Sequence, residues 1–150
     1  MTPRTEIVSR AFGVISGHTL EAHRGTVTLD FTVDDADALT VERVADIDAM
    51  VDALDAYRDE ALRQLEESLH AEEPKHEQVT PFWEFHRDEM DGSVTRERFV
   101  STLCLRRAGF YPGREPFMVL DFEVSGPVTD PLLVANFDRH GVLLYVSWES

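Results

Sequence analysis

Two Glu-x-x-His elements lie close together in this chain, Glu67-Ser68-Leu69-His70 and Glu73-Pro74-Lys75-His76. Carboxylate-bridged di-metal bundles use that element from two helices, with a further glutamate from each of two more. Here the copies start six residues apart and Pro74 places the second in a loop, so they read as a solvated acidic segment. No Cys-x-x-Cys pair is present to hold a structural zinc, and no metal or other cofactor is expected. His86 carries the one catalytic reading. It follows the aromatic run Phe82-Trp83-Glu84-Phe85, with Asp88 and Glu89 just behind, and a pair such as His86 with Glu89 can serve as a general base. Against this stands the plainer reading of a packed imidazole with one structural hydrogen bond. Cys104, the single cysteine, lies between Leu103 and Leu105 and reads as a small buried hydrophobe that can form no disulfide within the chain. Ser101 and Ser147 lack the glycine elbow of serine hydrolases. Gly109, Gly113 and Gly126 fall at or near strand ends, not in a phosphate-binding loop.

Charge narrows the partners. Lysine and arginine total 14 and aspartate and glutamate 29, a net charge of −15. Such a field repels nucleic-acid backbones and anionic membranes and attracts basic proteins. No basic run interrupts it, so nucleic-acid binding is disfavoured. No stretch approaches the roughly 20 apolar residues of a spanning helix. The first ten residues carry Glu6 and no apolar core of a signal peptide, so a cytoplasmic location is expected.

The elements that position these residues follow from periodicity. The 150 residues suit one domain spanning 1–150. A short strand is expected around Phe12 to Ile15. From Thr26 to Val33, Val27, Leu29, Phe31 and Val33 alternate with polar residues, the period of a strand with one buried face. Helical spacing begins after Thr40, a plausible N-cap, with Val41, Val44, Ile47, Val51 and Leu54, and continues through Leu62, Leu65 and Leu69. With Asp55 as a second cap, this run reads as two consecutive helices, or as one helix with a break near Leu54. Their outer faces are expected to carry Asp46, Asp48, Asp52, Asp59 and Glu66. Thr80-Pro81 opens another helix with an aromatic face, and Thr95 to Thr102 forms a short helical turn. Strands then follow at Leu103–Tyr111, Phe117–Val124, Leu132–Phe137 and Val142–Trp148, joined by loops short enough for an antiparallel meander. In the last of them Trp148, Val142, Leu144 and Val146 are expected in the core, with Tyr145 on the exposed side beside Leu143. The expected fold is α+β: an antiparallel sheet of two N-terminal strands and a four-strand C-terminal meander, packed by three to four helices.

The C-terminal third carries a resemblance. Leu105-Arg106-Arg107-Ala108-Gly109-Phe110-Tyr111-Pro112 leads to Phe117-Met118-Val119-Leu120-Asp121-Phe122, then Thr129-Asp130-Pro131-Leu132-Leu133-Val134, Phe137-Asp138-Arg139-His140-Gly141 and Val146-Ser147-Trp148-Glu149-Ser150. This run resembles a bacterial family filed as domain of unknown function two thousand and four, and Thr26 to Met90 looks like it more loosely. The resemblance implies a small α+β fold and no activity. By analogy with immunity proteins of similar size and acidity, it suggests neutralisation of a toxin.

Three functions compete. The first is a non-enzymatic acidic protein that binds a basic protein through Asp46, Asp48, Asp52, Asp59, Glu66 and, on the sheet, Tyr145. The second is a small enzyme built on His86 and Glu89. The third is a structural subunit that uses a free strand edge or an apolar helical stripe to make a homodimer; the chain is expected as a monomer or homodimer.

Overall fold

The computed structural model describes residues 7–15, 19–34, 36–89, 94–125 and 130–149. A two-stranded ribbon, β1 (Val8–Ser9) with β2 (Gly13–Val14), precedes the main sheet. Strands β3 (Thr19–Arg24) and β4 (Val27–Thr32) form a hairpin, and three helices follow: α1 (Val41–Asp52), α2 (Leu54–His70) and α3 (Val79–Glu89). The chain ends in β5 (Leu103–Phe110), β6 (Met118–Val124), β7 (Leu132–Phe137) and β8 (Leu143–Glu149). The six long strands make one sheet in sequence order, antiparallel except where β4 pairs with β5 in parallel. No helix among the described residues is long and apolar enough to cross a membrane.

The α+β class holds, with two corrections. The sheet is mixed, because the helices carry the chain from the end of β4 back to the start of β5, and a parallel pair needs such a crossover. The N-terminal partner of β4 is Thr19–Arg24; the segment expected near Phe12 to Ile15 belongs instead to the separate ribbon.

Local signals explain the helices. Thr40 Oγ1 accepts from Arg43 N at 3.2 Å, capping α1 as its hydroxyl suggests. The break falls at Ala53, and no side chain caps α2. Asp55 lies in its first turn, favourable to the helix dipole. Val44, Ile47, Met50 and Val51 of α1, Leu54, Ala61, Leu65 and Leu69 of α2, and Val79, Phe82 and Trp83 of α3 are buried. They meet Leu29, Phe31, Phe110, Leu120, Phe122, Leu133 and Phe137 of the sheet in one core. Trp148 packs edge-on to Phe82 and Phe85, ring centres 5.7 and 5.6 Å away.

Two bulges set the sheet faces. Leu105 pairs with Phe122 and Arg107 with Asp121, so Arg106 is an extra residue. Strict alternation from Leu103 and Leu105 would drive Arg107 into the core. The bulge turns it onto the outer face and lets Ala108 and Phe110 point inward. In β8, Phe137 pairs with Leu143 and Asn136 with Tyr145, making Leu144 the extra residue. Leu143 is therefore core and Val142, expected inside, is 56% exposed. The β7–β8 turn behaves as its residues dictate: Asp138 Oδ1 accepts from His140 N (2.8 Å) and Val142 N (2.9 Å), and Gly141 takes φ +82°.

Candidate functional site

The sheet face away from the helices carries a cleft across β5 to β8. The cleft, of about 330 Å³, is lined by Arg107, Tyr111, Arg114, Glu115, Asp121, Asn136 and Glu149 together with apolar Val119, Leu132 and Val134. The loop joining β5 to β6 forms one wall, where Arg114 lies over the Tyr111 ring at 4.7 Å and pairs with Asp34.

Arg107 organises the site. Its Nε donates to Asp30, Nη1 to Asp121 at 3.2 Å and Nη2 to Tyr111 Oη at 2.7 Å. Burial alone would lower its affinity for the proton, but the bonds with Tyr111 and Asp30 and the charge of Asp121 outweigh it, so it stays cationic. Burial pushes the Asp121 carboxyl above its ordinary range; Arg107 opposes this, while the charges of Glu149 and Asp30 add to it. One guanidinium thus serves two carboxylates. Gly109 makes the arrangement sterically feasible: a Cβ there would lie 2.8 Å from Arg107 Nη2, 2.9 Å from Tyr111 Oη and 3.0 Å from Val119 Cγ2. On the neighbouring strands, Asn136 Nδ2 lies 3.1 Å from the Val134 carbonyl, 3.3 Å from that of Tyr145 and 3.3 Å from Ser147 Oγ.

The residues singled out from sequence fall outside the cleft; Tyr145, 47% exposed, pairs with Asn136 across β7 and β8 but does not line it. His86 is fully buried; its Nδ1 donates to the Phe82 carbonyl at 2.9 Å, and Phe82, Phe85 and Phe99 surround the ring. Glu89 stands exposed at the end of the same helix. Asp48, expected on an outer acidic face, is only 7% exposed. It accepts from Ser9 Oγ (2.6 Å), Arg10 N (3.0 Å) and Ala11 N (3.2 Å), and so fastens the β1–β2 ribbon to α1. Asp46, Asp52, Asp59 and Glu66 do reach solvent, each beside a basic group: Arg139, Arg10, Arg58 and His70 respectively. His76 is buried, with Nε2 at 2.9 Å from Gln64 Oε1, and His70 pairs with Glu66, so the two Glu-x-x-His elements do not converge. Among the described residues no three His, Cys, Asp or Glu side chains gather as metal ligands.

Asp121 and Glu123 face outward on β6, and Arg106 lies 3.3 Å from Glu123. Sequence reasoning missed the cleft. The available signal was Gly109 within a strand, flanked at two residues by Arg107 and Tyr111. Comparison with protein-family models, curated proteins and solved structures gives no match to this chain, so the resemblance noted in its C-terminal third stands on the residues alone.

Proposed function

We propose that this chain is a non-enzymatic binding protein whose acidic surface captures a basic protein, as an immunity protein or antitoxin captures a toxin. The observation that carries this reading is how the arginines are used. Arg58 pairs with both Asp55 and Asp59, Arg63 with both Glu60 and Glu67, and Arg107 with both Asp30 and Asp121. Arg10, Arg114 and Arg139 are likewise held by Asp52, Asp34 and Asp46. These six arginines are committed to acids, three of them to two each, and further carboxylates among the described residues face outward. Exposed pairs of this kind add little stability, so their number is no account of the acidity. A partner of opposite sign is drawn in by the summed field, mainly through a faster association that salt suppresses. On this reading the exposed acids of α1 and α2 steer the encounter.

The test is capture from native lysate with wild-type protein and an Asp59→Lys, Glu66→Lys variant, at low and high salt. A basic protein held by the wild type at low salt, shed at high salt and held less by the variant is expected. Equal retention by both proteins at both salts would overturn the reading.

A further inference from the structure

Resting on the binding reading above, we propose that the outer-face cleft seats an arginine side chain of the basic partner. Its guanidinium is received by Asp121, Glu149 and the side-chain carbonyl of Asn136, and its aliphatic stem lies on Val119, Leu132 and Val134.

The first support is an excess of acceptors. Three carboxylates, Glu115, Asp121 and Glu149, line the cleft with two guanidiniums, those of Arg107 and Arg114; Arg107 also serves Asp30, and Arg114 is held by Asp34. The second is Asn136, only 4% exposed. The carbonyls of Val134 and Tyr145 can only accept, so they fix the amide nitrogen toward them and leave Oδ1 facing the other way. Oδ1 accepts from no group among the described residues, yet no fully enclosed side-chain polar atom there lacks a partner. Oδ1 is therefore a spare acceptor open to the cleft that Asn136 lines.

Charge and shape select the occupant. An anion is disfavoured because Glu115, Asp121 and Glu149 line the cleft, while Arg107 is engaged by Asp30, Asp121 and Tyr111 and Arg114 by Asp34. A bare metal ion would need converging ligands, and no such group exists among the described residues. An arginine offers five N–H donors in a planar fork for acceptors on three strands, and its stem covers the apolar lining. The cleft, at about 330 Å³, lies at the small end of the range of ligand sites, room enough for one long side chain.

The experiment is an amide NMR titration of the full chain with Nα-acetylarginine amide, and in parallel with its neutral citrulline counterpart. Arginine-dependent shifts are expected at Val119, Asp121, Val134, Asn136 and Glu149, with none from citrulline. Glu149→Gln should weaken binding about three- to fivefold, the loss proper to a partly exposed charge pair. Glu149 reaches only Ser147 Oγ among the described residues, at 3.2 Å, so this variant keeps the Arg107 network. Asp121→Asn adds a second readout, with folding checked by the unchanged pattern of core signals. Absence of outer-face shifts, equal shifts with citrulline, or shifts confined to α1 and α2 would overturn the proposal. The last of these would leave the basic-partner reading intact. Cleft binding without a basic protein in the lysate capture would instead remove that reading and keep the guanidinium site.

Discussion

Replacing Asp48 with alanine separates an acid that attracts a partner from one that holds the fold. The carboxylate accepts three hydrogen bonds, from Ser9 Oγ, Arg10 N and Ala11 N, at a position 7% exposed. A hydrogen bond to a charged group contributes about 1.5–3 kcal/mol. The three do not add. Once Asp48 is gone the ribbon can lift and hydrate, and Ala11 N keeps Ser9 Oγ at 3.2 Å. The expected loss is about 2–3 kcal/mol, or a fall in Tm of roughly 4–12 °C for a chain of this size. Urea unfolding followed by tryptophan fluorescence gives the free energy. Hydrogen exchange should show the first loss of protection at residues 8–14, while partner affinity stays within about twofold of wild type after correction for folded fraction. A variant within about 0.5 kcal/mol of wild type, the range of ordinary surface changes, would refute the anchoring role.

Gly141→Ala should destabilise by about 2–4 kcal/mol, combining strain at φ +82° with a Cβ placed 2.7 Å from the Tyr57 ring; denaturant melts check it. Gly109→Ala should displace Arg107 from Tyr111 and cost about 1–3 kcal/mol, read as loss of stability together with shifted outer-face amide signals. Asp121 has its folded pKa raised by burial, so the native state holds the extra proton. Stability should fall as pH rises from the ordinary aspartate range to the folded value, and Asp121→Asn should flatten that slope. His76 has its folded pKa lowered, by burial first and then by Lys75, with Glu67 opposing. The native state therefore binds fewer protons, and stability should be lost as pH falls from 6.5 toward the folded value, a loss that His76→Gln should diminish.

Elements whose side chains sort cleanly by face were legible in the sequence. Thr26 to Val33 shows period two because one face of β4 meets the core, and the runs after Thr40 show helical period because α1 and α2 bury one stripe each. Thr19–Arg24 was not legible. It is an edge strand whose period-two burial is carried by just two apolar residues, Leu20 and Ala22, both only half-buried, too short a run to stand out. Pairing of β4 with β5 is set across three helices, which no local pattern encodes. Arg106 and Leu144 each shift the phase of their strands by one residue, so alternation assigns Leu144 to the core instead of Leu143 and hides how Arg107 reaches the cleft. Asp48 lies on the acidic stretch of α1, and only the ribbon folded over it removes it from solvent. The cleft joins residues from four strands at long sequence separation, and Gly109 alone hinted at it.

The most direct test of the central claim is the association rate of the captured basic protein with the purified chain across a salt series. The account predicts a rate that falls steeply with ionic strength as screening shortens the reach of the field, with Asp59→Lys, Glu66→Lys lowering the rate at low salt and leaving dissociation little changed. A rate independent of salt, and equal for the wild type and the variant, would contradict it.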